Sequence, residues 1–279
     1  MNISFLRQML KKVIVFGKSD FMKEEKVIFY NNKKQKLVGL LTLPTEAKPP
    51  IVIIIHGFKG TKEYYPFVNN SIKPLTDAGI AVLRIDCRGS GESDLEFKDM
   101  TIKSESEDIL TTIKYLQNLK NIDSKKISLI GISMGAGAII TAMKQKPKVK
   151  TLVFWGPAWY FGDGDSYFNR PEHRKTIKEE GVFYVTQSFT GKKMVAGKEL
   201  FKEMTTLDTR PYMKFVKIPV LVLRGSEDEV VGTKKDKEAV KLLNAEYKII
   251  EKGDHNFTDK ESEKELIKQT VEWLKKWLR

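Results

Sequence analysis

Five short, almost uninterrupted apolar runs dominate the chain: IVIIIHG at 51–57, AVLRID at 81–86, KISLIGI at 126–132, VKTLVFW at 149–155 and PVLVLRG at 219–225. A strand that is apolar on both faces has to be covered on both faces. That is the condition of a parallel sheet sandwiched between helices. The intervening stretches supply the helices. Apolar spacing predicts helices from about Tyr64 to Ala78, from about Lys103 to Leu119, over GAGAIITAMKQ, over TKKDKEAVKLLN, and from Glu261 onward. EYKIIEK adds a strand before the last helix. Upstream, EKVIFYNN and KLVGLLTLP flank a polar KKQ stretch and read as an antiparallel hairpin at one edge of the sheet. The expected class is therefore α/β, with a mostly parallel central sheet and helices on both faces.

One interval breaks the alternation. Residues 156–218 span about 60 positions, far more than an ordinary connection between a strand and the next element. The interval is rich in aromatics (Trp159, Tyr160, Phe161, Tyr167, Phe168, Phe183, Tyr184). It also contains VFYVTQSFTGKKMVAG, a small hairpin pattern, and KELFKEM, a helical one. An insertion that follows a parallel strand lies at the carboxyl edge of the sheet, where ligands bind in such folds. Residues 1–155 and 219–279 are thus expected to form the core, and 156–218 an inserted cap over a site.

The third run leads straight into Gly131-Ile132-Ser133-Met134-Gly135, a G-x-S-x-G pentapeptide with a strand before it and a helix after it. Such a turn holds its central residue in strained geometry with the hydroxyl projecting. Side chains two residues to either side would collide with neighbouring backbone, hence glycine at both positions. The helix that starts there aims its first amides at any developing anion. Ser133 is the candidate nucleophile.

Serine is a poor nucleophile at neutral pH and needs a base that is itself held by an acid. The chain has only three histidines. His173 lies in RPEHRK, a charged setting expected to be exposed. His56 ends the first apolar run. His255, in EKGDHNF, follows the last strand, and the chain order serine, acid, histidine selects it as the base. The acid should follow a strand between 133 and 255, where LRGSEDEVV offers Glu227, Asp228 and Glu229.

With IHGFKG, GISMGAG, RGSEDEVV and GDHNF in this order, the chain resembles the α/β-hydrolase superfamily over about residues 25–279. The resemblance places the acid at Asp228, since the superfamily's G-x-x-D-x-x-V loop maps onto Gly225, Asp228 and Val231. It leaves Glu227 and Glu229 in solvent. It also implies an oxyanion hole made by the backbone N–H groups of Phe58 and Met134, with His56 bracing the loop. RIDCRGSGESD is similar to the superfamily's D-x-R-G-x-G-x-S loop, one wall of the site. The HGF-x-G segment and the aromatic insertion look most like the cinnamoyl/feruloyl esterase group. That likeness implies Asp163 as a contact for a phenolic hydroxyl. The group's partner tyrosine falls at Leu200, a departure that favours a broader carboxylesterase. Trp159, Asp163 and Leu200 are the expected substrate contacts.

Other classes are less well served. The formal charge of +13 invites a nucleic-acid or membrane-surface reading, but the lysines are scattered and no nucleic-acid-binding signature accompanies them. GDGDS at 162–166 lacks the ligand spacing of a calcium loop. No zinc spacing and no dinucleotide fingerprint occur, so neither metal nor cofactor is implied. No run approaches ~18 apolar residues, and MNISFLRQMLKKVIVFGKSD reads as no secretory signal. The single cysteine, Cys87, ends an apolar run and is expected as a core residue in a reducing, cytoplasmic setting. The expected function is a serine carboxylesterase acting through an acyl-enzyme on a small-molecule ester, cinnamoyl/feruloyl or short-chain acyl. Thioesterase, acyltransferase and peptidase chemistry would use the same residues. A non-catalytic binding protein on this fold is the other class, and homodimer formation stays open.

Overall fold

The computed structural model describes residues 23–161 and 167–278. Its centre is an eight-stranded sheet, β1 (Lys23–Tyr30), β2 (Lys36–Leu43), β3 (Ile51–Ile55), β4 (Ala81–Asp86), β5 (Ile127–Ile132), β6 (Thr151–Trp155), β9 (Val220–Gly225) and β10 (Glu246–Ile250). The spatial order is β1-β2-β4-β3-β5-β6-β9-β10. Strands β4, β3, β5, β6, β9 and β10 run parallel, and β2 joins β4 antiparallel with β1 outside it. The expected hairpin is therefore the edge of the sheet. N-terminal residues 1–22, including the stretch read for a secretory signal, lie outside the described residues.

The apolar runs are continuous because successive residues feed two different cores. On β3, Ile51, Ile53 and Ile55 join one cluster, while Val52 and Ile54 join the other. The second cluster is covered by α1 (Pro66–Asp77) and α8 (Lys260–Trp277), through Phe67, Leu75, Leu266 and Leu274. The first is covered by α2 (Ile102–Leu116), α3 (Gly135–Ala142) and α7 (Asp236–Leu243), through Ile109, Ile113, Ile139 and Leu243. Each fully buried Ile or Leu contributes roughly 1.5–3 kcal/mol, so a shift of one residue in any strand would misplace both faces at once.

Between β6 and β9 the chain forms α4 (Pro171–Glu180), an antiparallel hairpin of β7 (Val182–Thr186) and β8 (Lys193–Gly197), α5 (Lys198–Thr206) and the short α6 (Arg210–Met213). The hairpin and the KELFKEM helix are where the pattern put them. Helix α4 was not expected from the charge-rich RPEHRK stretch. It starts at Pro171, whose missing N–H costs nothing in the first turn, and stops at Gly181 in the left-handed region at φ +74°. It also corrects the reading of His173, which is buried with its ring 5.1 Å from that of Phe183.

Candidate active site

Four strand-end loops converge at the carboxyl edge of the sheet. Ser133 follows β5 at φ +50°, a conformation that costs a non-glycine residue about 1–3 kcal/mol and persists only when its surroundings fix it. Its N–H donates to the Trp155 carbonyl, and its own carbonyl accepts from the N–H groups of Ala136 and Ala158. A β-carbon on Gly135 would lie 2.7 Å from the His56 carbonyl oxygen, and one on Gly131 3.1 Å from the Ala136 nitrogen. The turn tolerates no side chain on either side.

His255 reaches Ser133 from the loop between β10 and α8. Its Nε2 lies 3.1 Å from Ser133 Oγ, and its Nδ1 2.9 Å from Asp228 Oδ2. The Asp228 side chain is buried, and its Oδ1 also accepts from the N–H groups of Val230 and Val231. Burial alone would push this carboxyl up. The hydrogen bond and charge of His255 and the Arg224 guanidinium outweigh that and hold it well below the ordinary carboxylate range. An ionised Asp228 only accepts, so Nδ1 carries the ring proton and Nε2 is left to accept from the serine hydroxyl. Glu227 and Glu229, the alternatives on the same loop, are exposed.

The acid and base loops are locked together by backbone. A β-carbon on Gly225 would sit 2.1 Å from the Gly253 carbonyl oxygen. The Glu227 N–H donates to that carbonyl and the Ser226 N–H to that of Ile250. The orientation of His255 toward Ser133 is thereby set by the sheet itself.

Comparison with known proteins supports the fold on which this arrangement is built. A family model described as serine aminopeptidase S33 matches residues 47–171. An uncharacterized 31.7 kDa protein in the traX-finO intergenic region of Escherichia coli is 32% identical over 155 residues, 54% of this chain and 52% of that protein. Thiohydrolase apmlB of Arthrinium phaeospermum is 32% identical over 135 residues, 48% of this chain and 43% of the relative. The chain spans about half the length of the curated relatives it matches. Among solved structures, Est1E from Butyrivibrio proteoclasticus with ferulic acid bound superposes with a TM-score of 0.67 at 22% identity, covering 87% of this chain and 94% of that one. The chain has the α/β-hydrolase fold.

On this fold the two expected oxyanion donors have free N–H groups. Among the described residues, neither the Phe58 nor the Met134 amide donates a hydrogen bond within the chain. They flank the nucleophile: Met134 follows Ser133, and a β-carbon on Gly57 would lie 3.0 Å from Ser133 Cβ. His56 braces the loop. Burial lowers its pKa, so its neutral ring donates from Nδ1 to the Gly57 carbonyl and accepts at Nε2 from the Cys87 N–H. Cys87 is fully buried, as expected of a core residue. Cys87, His56 and Glu105 bring ligand atoms within 4.8 Å of one another. Both His56 nitrogens are already engaged, which leaves too few donors for a metal.

Two expected substrate contacts lie buried among the described residues. Trp159 is 1% exposed, packs edge-on against Phe154, and donates its indole N–H to Asp236. Leu200 is fully buried in the core cluster that includes Phe183 and Met204. Both side chains pack into the first core cluster. Asp163 and the GDGDS stretch lie outside the described residues.

The residue that sequence reasoning missed is Arg224. Fully buried, it donates to Asp228 Oδ2 at 2.6 Å, to both oxygens of Asp236 at 2.8 Å, and to the Pro157 carbonyl at 2.6 Å. Asp236 also accepts from Trp159 and from the Tyr247 hydroxyl. The signal was visible: a lone charge ends an otherwise apolar strand, PVLVLRG, and a buried charge must be paired.

Proposed function

We propose that the protein is a serine ester hydrolase acting through an acyl-enzyme. The observation that carries this reading is the continuous relay from Ser133 Oγ to His255 Nε2, at 3.1 Å, and from His255 Nδ1 to Asp228 Oδ2, at 2.9 Å. In the reaction, Ser133 Oγ attacks the ester carbonyl while His255 Nε2 takes its proton, and Asp228 stabilises the imidazolium. The Phe58 and Met134 amides receive the oxyanion. His255 then protonates the departing alcohol. Water repeats the attack on the acyl-enzyme, with His255 again as base, releasing the acid and restoring Ser133.

We propose residues 156–218 as a cap over this edge and carboxylic esters with an apolar or aromatic acyl group, cinnamoyl/feruloyl or short-chain, as the substrate class. The aromatic content of the segment and the contact between Phe58 and Phe168, 5.1 Å between ring centres, support it. Asp163 is retained as the expected phenolic contact. The likeness to a thiohydrolase favours thioesters as a second reading. Among the described residues no helix is long and apolar enough to cross a membrane. The test is a panel of p-nitrophenyl esters, hydroxycinnamate esters, acyl-CoA thioesters and peptides, run on the wild type and Ser133→Ala. Turnover of esters above the other classes, abolished by Ser133→Ala, is the expected result. Exclusive thioester or peptide turnover would replace the ester reading.

A further inference from the structure

The oxyanion segment 57–65 is tied to the segment between β6 and β9 by contacts that the reaction itself does not need. Gln187, buried just after β7, donates from Nε2 to the Lys59 carbonyl at 2.5 Å. Its Oε1 accepts from the Thr190 hydroxyl at 2.6 Å, and its backbone closes the turn with Gly191 and Lys192. Lys59 returns the contact, its Nζ donating to the Thr186 carbonyl at 2.7 Å. Burial lowers the pKa of that ammonium. One residue further out, the Phe189 N–H donates to the Tyr64 hydroxyl at 3.2 Å, and the two rings lie 5.1 Å apart.

Lys59 itself is held at φ +65°. A lysine there is strained and returns to ordinary backbone unless its peptide groups are held from outside. The peptide one residue upstream carries the Phe58 N–H, which has to point at a developing oxyanion within a few tenths of an ångström. The Gly60 N–H fixes the Gly57 carbonyl on one side. On the other side, the grip on the Lys59 carbonyl comes from Gln187.

We infer that the 186–192 turn is a clamp on the oxyanion segment, and that Gln187 is a positioning residue that fixes the Phe58 amide by holding the Lys59 carbonyl. The inference rests on the serine ester hydrolase reading above. It makes turnover depend on docking of the turn onto the core, independently of which acyl group is bound.

Gln187→Met keeps the packing volume and removes the donor. With p-nitrophenyl butyrate it should lower kcat roughly tenfold, with KM within about twofold, because only transition-state stabilisation is lost. The affinity for a trifluoromethyl ketone, which forms a tetrahedral oxyanion on Ser133, should fall by the same factor as kcat/KM. Lys59→Met, which removes the return contact, should act in the same direction and more weakly. It keeps the inference testable if Gln187→Met does not fold. Tyr184→Ala, on the exposed outer face of the hairpin, should leave kcat unchanged. Unaltered kcat in both Gln187→Met and Lys59→Met overturns the clamp, as does a loss confined to KM or an unchanged affinity for the ketone. Stoichiometric labelling of the wild type by a fluorophosphonate separates these outcomes from failure of the underlying reading: an unlabelled wild type overturns both.

Discussion

The loops that carry Ser133, Asp228 and His255 and the segment between β6 and β9 meet at one edge of the sheet, but they are built by opposite means. The first are fixed by backbone in contact with backbone: Gly135 on the His56 carbonyl, Gly225 on that of Gly253. The second is fixed by aromatic side chains, with the Phe183 ring about 6 Å from those of Phe168 and Phe201 and 5.1 Å from His173. Backbone contacts tolerate no added atom and specify geometry to a fraction of an ångström. Ring clusters tolerate exchange among large apolar groups at moderate cost. Precision is thus concentrated where the chemistry is proposed, and tolerance where the acyl group would be selected.

The comparison is tested hardest at Asp228. Asp228→Asn should lower kcat by ~10⁴-fold, because the amide favours the wrong imidazole tautomer. Glu227→Gln and Glu229→Gln should stay near wild type. Dead glutamate variants would mean that the acid lies elsewhere on the loop.

Arg224→Met comes next. It strips the partner from two buried carboxylates, Asp228 and Asp236, and losing one member of a buried pair costs about 3–5 kcal/mol. The melting temperature should fall by roughly 6–20 °C. An unchanged melting curve would show that the loop holds without this charge.

These two residues also show how far the sequence could be read. Ser133 and His255 were singled out because a strand-to-helix turn has strict glycine requirements and because histidine is scarce in this chain, whereas Asp228 was separated from Glu227 and Glu229 only by the resemblance to the superfamily's acid loop. Arg224 was legible in principle, as the one charge in an apolar strand. Trp159 and Leu200 were not: apolar residue type predicts burial equally well in a core and in a pocket wall, and only packing decides between them. Helix α4 was hidden by a charge-rich face that leaves only His173 buried.

On the insertion side, Phe183→Leu should destabilise by about 1–2 kcal/mol through lost ring contacts. Its kcat/KM on small esters should remain within about threefold of wild type. Loss of turnover as complete as in Asp228→Asn would erase the distinction between the two regions.

The smallest expected effect is on the dependence of stability on pH. Glu105 is fully buried on α2, and neither carboxyl oxygen has a hydrogen-bond partner among the described residues. Burial, with Asp108 and Glu203 nearby, pushes its carboxyl well above the ordinary value. Above that ordinary value the unfolded chain releases a proton that the folded chain keeps, so this group makes stability fall as pH rises. Glu105→Gln removes the titration. The difference in melting temperature, variant minus wild type, should therefore grow between pH 4 and pH 8. Parallel profiles would mean that Glu105 does not keep its proton in the folded state.

The central claim, that Ser133 is a nucleophile activated by His255 and Asp228, is tested most directly by intact-mass spectrometry after exposure to a fluorophosphonate. One adduct per chain is expected in the wild type, mapped to the peptide carrying GISMGAG. None is expected in Ser133→Ala, and labelling of Asp228→Asn should be far slower. A wild-type chain that stays unlabelled, or an adduct that persists in Ser133→Ala, would contradict it.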